Sequence, residues 1–195
     1  MIYKIIAVVL IILCSPLFIV LYIFIRLTSD GPFIFKQRRL GKNKKQFVMY
    51  KIRTMVVDAE DQKSKIQNFN EADGPVFKIR NDPRYTLVGK FISHSGLDEL
   101  PQLINIIKGE MSFVGPRPLP IEEAQKIPKK YDMRFSVLPG ITSLWVIRGS
   151  HKLSFDEWMK LDLDYVKRQN PFLDFRVAVK TIQLIGNTIM KELFK

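Results

Sequence analysis

The run from Ile5 to Ile25 holds 21 residues without a charge, and its only polar members are Cys14, Ser15 and Tyr22. Wound as one straight helix it rises about 30 Å, enough to cross the hydrocarbon layer of a bilayer. Ser15-Pro16 stands at its centre. A mid-helix proline removes one backbone hydrogen bond and pushes away the carbonyl of Ile12, which bends the helix into two arms of about 15 Å. The Ser15 hydroxyl can bond back one turn and satisfy backbone that hydrocarbon cannot hydrate. Two topologies follow: a straight span, or a kinked re-entrant helix that returns to its own side.

Charge orients either topology. Residues 26–53 carry nine Lys or Arg against the single acid Asp30, so most of the formal +12 lies just beyond the apolar run. Such a segment stays on the cytoplasmic side. A secretory signal is disfavoured because no small-residue cleavage site follows Ile25, and Ala7 is the only alanine before Ala59. Cys14 is the sole cysteine, which excludes an internal disulfide and a cysteine zinc cluster and suits a reducing compartment. A length of 195 residues calls for one domain with a real core.

Within the basic segment, Phe47 to Met55 alternates apolar and polar residues, a strand pattern that sets Tyr50, Ile52 and Thr54 on one face and Lys51 and Arg53 on the other. Gly41-Lys42-Asn43-Lys44 supplies a hairpin turn. Lys36, Arg38, Arg39, Lys42, Lys44 and Lys45 read as cations lying against anionic headgroups. Lys51 and Arg53 are better placed to bind a specific anion, because a strand fixes their direction. Nucleic acid is not expected as a partner, since no recognition motif accompanies the basic patch.

Residues 58–73 read as a polar surface insertion, Gly74 to Ile79 as a short strand, Asn81-Asp82-Pro83-Arg84 as a turn, and Val88 to Ile92 as renewed apolar packing. Then comes Leu97-Asp98-Glu99-Leu100-Pro101-Gln102-Leu103. Pro101 lacks an N–H and fits only the first turn of a helix, so Asp98 and Glu99 sit at a helix start, where the macrodipole favours anions. Lys108-Gly109 ends that short, buried helix. Taken alone the two acids are equally readable as a helix cap. Arg117, held between Pro116 and Pro118, adds a preorganised cation beside them.

These residues carry a resemblance. Leu97 to Leu103, Asn105, Lys108-Gly109-Glu110-Met111-Ser112, Val114-Gly115-Pro116-Arg117-Pro118 and Pro139-Gly140-Ile141-Thr142, together with Ser15-Pro16, Phe35-Lys36-Gln37 and Tyr50 to Met55, resemble the bacterial sugar transferases, the monotopic phosphoglycosyl transferases. The resemblance covers most of the chain. It implies transfer of a phosphosugar from a UDP-sugar donor to undecaprenyl phosphate at the cytoplasmic face of the bacterial inner membrane, with UMP released and Mg2+ as cofactor. By motif position Asp98 is the nucleophile that forms an acyl phosphate, with Glu99 orienting the metal or an arginine, and both acids as metal ligands. Lys51, Arg53 and Arg117 then neutralise the diphosphate. The expected fold is α+β and helix-dominated. Residues 1–27 form a membrane-embedded re-entrant helix kinked at Ser15-Pro16, and 28–195 a cytoplasmic catalytic domain with a small β-hairpin and interfacial amphipathic helices.

The sequence departs from that family's usual pattern at four places. Ser93 stands where a basic residue is common, and Gly96 where serine is usual. His94 is a candidate substitute for the missing cation. Ser143 replaces a usual glycine, and Trp145-Val146-Ile147-Arg148-Gly149-Ser150 differs from the familiar run, with Arg148 a second candidate cation. Ser93 and Gly96 also motivate a competing reading, a non-catalytic membrane-attached protein that holds anionic lipid or an assembly partner. Towards the end, Ser154-Phe155-Asp156-Glu157 opens a capped helix, Asn170-Pro171 breaks it, and Phe172 to Phe194 forms a second helix whose apolar side suits a membrane interface.

Overall fold

In a computed structural model, which describes residues 1–149 and 153–194, the apolar run lies in one helix, α1 (Ile2–Thr28). A hairpin of β1 (Ile34–Leu40) and β2 (Gln46–Ile52) follows, then α2 (Ala59–Gln62) with a 3-10 stretch over Lys63–Phe69. Next come α3 (Leu87–His94), a 3-10 turn Leu97–Gln102 running into α4 (Leu103–Lys108), β3 (Ser112–Val114) and α5 (Ile121–Ala124). A 3-10 segment Lys129–Phe135, β4 (Gly140–Thr142), α6 (Leu144–Ile147), α7 (Phe155–Arg168) and α8 (Pro171–Leu193) complete a helix-dominated α+β fold.

Helix α1 is not divided at Pro16. Ser15 Oγ donates to Ile12 O at 2.8 Å, and Ile12 O is the carbonyl that the missing Pro16 N–H would have served. Both halves of the helix dock on the same body. Ala7, Leu10 and Ile11 pack with Phe47, Met49, Leu103 and Ile106, while Leu21 and Ile25 pack with Ile52 and Ile92. Near its start, Tyr3 donates to Asp174 of α8 at 3.0 Å and meets the Phe113 ring edge-on. The opposite face leaves Ile5, Ile12, Leu13, Ile19, Ile23 and Leu27 exposed. By length and composition α1 could cross a membrane.

The hairpin forms as expected. Its strands pair antiparallel with Phe35 opposite Lys51 and Leu40 opposite Gln46, and the turn sets Asn43 and Lys44 at positive φ. Strand β2 stops at Ile52, however, short of the expected Met55. The stretch Gly74 to Ile79 is not a strand either. The Asn70 side chain holds it as a loop, accepting from Lys78 N at 2.7 Å and donating to Val76 O at 3.1 Å. Strands β3 and β4 pair in parallel, and their backbones approach so closely that a side chain on Gly115 or Gly140 would collide with the other strand's main chain.

Helix α7 starts with a reciprocal capping box between Ser154 and Glu157, and α8 with Asn170 as cap and Pro171 in the first turn. The largest core cluster gathers Trp145, Phe155, Trp158, Met159 and Tyr131, with the two indole rings stacked at 4.3 Å. Full burial of an apolar side chain such as Met159 contributes roughly 1.5–3 kcal/mol.

Candidate active site

Gly96 ends the α3 segment in the left-handed region, φ +75°, and turns the chain into the 3-10 helix that carries the acid pair. Asp98 and Glu99 occupy its first turn, whereas Pro101 lies inside it as the fifth residue rather than in the first turn as expected, and Asp98 is only 5% exposed. Gly96 stands where a serine would be strained by its backbone alone, because the nearest atoms to an added Cβ belong to Ile185 at 4.0 Å. Gly96→Ser is therefore expected to lower stability by about 1–2 kcal/mol in urea unfolding.

Lys51 reaches the pair from β2. Its Nζ donates to Asp98 Oδ2 at 2.9 Å and to Glu99 Oε1 at 2.9 Å, and Arg117 NH2 donates to the same Glu99 oxygen at 2.9 Å. The register between strand and helix is set by Asn105, fully buried on α4. It accepts from Tyr50 N at 3.2 Å and donates to Val48 O at 2.7 Å, so Lys51 stands opposite Asp98. Sequence reasoning gave Asn105 no role of its own. Its signal was a lone amide in an otherwise apolar helix.

Burial dominates the Asp98 carboxyl and pushes its pKa up, with the Glu99 charge acting the same way and Lys51 opposing both. Burial acts upward on Glu99 too. There Arg117 and then Lys51 outweigh it and hold the group at about 2. The neighbours are thus chemically unlike: Glu99 is a fixed anion, and Asp98 is the more basic carboxylate.

Arg117 owes its aim to more than its prolines. Arg134 NH2 donates to the Arg117 carbonyl at 2.8 Å while its Nε and NH2 bind Asp162 Oδ2 at 3.0 and 2.8 Å. Arg39 NH1 donates to Pro118 O at 3.1 Å. Arg39 therefore faces inward, away from the headgroup-facing role expected for it, and Lys44 pairs with Asp132 at 2.8 Å. Arg134 and Asp162 went unnoticed in the sequence, since a charged pair 28 residues apart leaves no periodic mark.

Of the other expected site residues, Arg53 and His94 line the same cavity as the acid pair, and Arg148 is not among its lining residues. Because β2 ends at Ile52, Arg53 turns to the loop after α1, where it donates to Pro32 O, Ser29 Oγ and Ser29 O at 2.7, 2.9 and 3.1 Å. His94 Nε2 lies 3.2 Å from Arg80 O, its ring edge-on to Tyr85. Ser93 Oγ is 3.0 Å from the Tyr85 hydroxyl. Arg148 is exposed at the end of α6, outside the cavity wall, and Ser150 lies outside the described residues. Ser143 caps α6, accepting from Val146 N at 3.3 Å.

Asp98, Glu99, Lys51 and Arg117 line a cavity of about 1360 Å3. Phe77, Trp145, Phe155 and Trp158 form part of its wall, and Thr181 and Ile185 of α8 another part. Among the described residues no three His, Cys, Asp or Glu cluster, so a metal here would rest on the acid pair alone. That fits Mg2+, which takes one or two carboxylates and completes its shell with water and substrate phosphate. Lys51 and Arg117 already balance the two carboxylates, so a divalent ion fits best together with an anionic substrate.

A buried acid pair is thus clamped by two cations in the wall of a roomy cavity. The chain belongs to the bacterial sugar transferase family, whose sequence model matches residues 1–188. It is 35% identical over 188 residues to the undecaprenyl-phosphate galactose phosphotransferase of Salmonella typhimurium, covering 92% of this chain and 38% of that protein. To the UDP-glucose:undecaprenyl-phosphate glucose-1-phosphate transferase of Xanthomonas campestris pv. campestris it is 34% identical over 192 residues, 94% of this chain and 38% of the relative. With the exopolysaccharide production protein ExoY of Rhizobium meliloti it shares 34% identity over 177 residues, 89% of this chain and 78% of that protein. The chain thus spans under two fifths of the length of the longer curated relatives it matches.

Proposed function

We propose that this protein transfers a sugar phosphate from a UDP-sugar to undecaprenyl phosphate, through a phosphosugar held covalently on Asp98, at the cytoplasmic face of the bacterial inner membrane. The observation that carries this reading is the Lys51–Asp98–Glu99–Arg117 constellation in the cavity wall. Asp98 Oδ2 is held by Lys51, and Oδ1 makes no hydrogen bond among the described residues, so Oδ1 is the attacking atom. A carboxylate needs no base to become a nucleophile. It attacks the sugar-linked phosphorus, the bond to the bridging oxygen breaks, and UMP leaves with the electron pair. Undecaprenyl phosphate then attacks the same phosphorus and frees Asp98.

Glu99 is the anchor rather than a second nucleophile, because its Oε1 fixes both Lys51 and Arg117. Arg117, half-exposed to the cavity, meets the charge that builds on the diphosphate. Asp98 and Glu99 would hold Mg2+, which when bound lowers the repulsion between carboxylate and diphosphate. The names of the relatives point to galactose or glucose as the first sugars to try. Membranes holding the protein, given Mg2+, undecaprenyl phosphate and a panel of UDP-sugars, should release UMP. A folded protein that releases none from any donor would refute the assignment.

The re-entrant topology belongs to the same reading. A spanning helix carries one end a full bilayer away from the cytoplasmic body, whereas Tyr3 contacts Asp174 and Ile25 packs on Ile52. The exposed faces of α1 and of α8, the latter with Phe172, Phe175 and Ile182, are the surfaces this reading sinks into one leaflet. Cysteines introduced at positions 2 and 30 are expected to react with an impermeant reagent from the same side. Opposite sides would establish a span.

A further inference from the structure

We propose that Lys78 binds the phosphate of the departing uridine nucleotide and neutralises the charge it gains as the donor is cleaved. This rests on the transferase reading. Each cation beside the acid pair is already committed, Lys51 to both carboxylates and Arg117 to Glu99. Elsewhere in the cavity wall Arg84 is paired with Asp82, Lys63 with Glu123, and Arg53 with loop carbonyls. Lys36 and Arg80 are exposed. Lys78 is different: it is half-buried, and its ammonium makes no hydrogen bond or ion pair among the described residues.

Its position is fixed from the backbone outward. Lys78 N donates to Asn70 Oδ1 at 2.7 Å, and Glu71 N donates to Lys78 O at 2.8 Å. The ammonium lies 4.5 Å from the centre of the Trp145 ring, and the Arg117 guanidinium lies 6.0 Å from the same centre. Trp145 therefore joins the cation at the acid pair to a second cation further along the wall. A diphosphate laid across that wall presents one phosphate to Asp98 and Arg117 and the other to Lys78.

Arg39 Nε, Trp145 Nε1 and Trp158 Nε1 are buried without an acceptor among the described residues, and all three residues line the cavity. Without an anion Lys78 is unsettled. Burial first and the Arg117 charge second depress its pKa to about 8, with Glu71 alone opposing them. When the bond to the sugar-linked phosphorus breaks, its electron pair stays on the nucleotide's phosphate oxygen. No proton need move, and the protonated lysine offsets the added charge.

The test titrates the full chain in detergent with UMP and, separately, with uridine, and follows UMP release from a UDP-sugar. Lys78→Met is expected to weaken UMP binding by about tenfold or more, leave uridine binding unchanged, and lower the turnover rate. In the wild type, UMP affinity should fall as pH rises through about 8, whereas Lys78→Arg should keep it level. A folded Lys78→Met protein, checked by its melting temperature, that binds UMP as tightly as wild type overturns the assignment while leaving the transferase reading intact. Equal loss of UMP and uridine binding also overturns it, because the contact is then not to phosphate. A wild type that releases no UMP from any donor removes the parent reading and this one with it.

Discussion

Asp98→Asn is expected to cut UMP release by on the order of 10^4-fold or more, the scale seen when a covalent nucleophile is removed. The amide keeps the shape of the side chain and its acceptor for Lys51, so the loss would report on chemistry rather than on packing. Stability supplies the control. The Asp98 pKa is raised by burial, so its favourable contribution is complete below the unfolded value and is lost as pH rises through the folded one. At neutral pH the charged form is therefore a burden that asparagine does not carry, and the variant should melt no lower than wild type. Rate and pH separate the two acids as well. The acid limb of the transfer rate should follow Asp98 and lie above the ordinary aspartate range, because Glu99, held at about 2, stays ionised throughout. Mass spectrometry of the wild type given donor alone should find the phosphosugar on Asp98. Retained transfer by Asp98→Asn would rule out the covalent route, and an unchanged cellular phenotype would favour a non-catalytic, lipid-binding role.

Local signals were legible and long-range ones were not. Ser154 with Glu157, Asn170-Pro171 and Gly41 to Lys44 each act within one or two turns of chain, and each element formed where they predicted. Alternation placed Lys51 on a strand but could not say where the strand stops. Three residues of overshoot put Arg53 on the strand with Lys51, whereas it serves the loop after α1. Gly74 to Ile79 has a strand's composition, yet no partner strand reaches it, and the Asn70 amide supplies its hydrogen bonds instead. Pairs of three-residue strands such as β3 and β4 carry no periodicity at all. In the candidate site, motif position pointed to the acids and Arg117, which the fold brings together. Of the residues that hold them in register, Asn105 stood in the motif without a role, and Arg134 is known only from what it touches.

Arg134→Met is expected to cost about 3–5 kcal/mol of stability, because it strands a buried carboxylate. Arg134 is 3% exposed and Asp162 1%. Asp162 is pushed up from 3.8 to about 6 by burial, even with Arg134 opposing the shift. An acid raised in the folded state contributes stability that is complete below its unfolded value and lost as pH rises through the folded one. Removing Arg134 raises the folded value further, so Asp162 takes up a proton at mildly acid pH and escapes the penalty there. The deficit in urea unfolding should accordingly be smaller at about pH 5 than at about pH 8. A neutral partner tests whether the damage is only the stranded charge: in Arg134→Met/Asp162→Leu most of the lost stability should return, since buried ion pairs are often replaced by apolar residues without loss. Turnover should not return with it. The Arg117 carbonyl still lacks the donor that Arg134 supplied at 2.8 Å, and the guanidinium it aims at Glu99 is freer to wander. A double variant that recovers both stability and turnover would reduce Arg134 to a packing role, whereas recovery of stability alone makes it the residue that positions the arginine beside the nucleophile.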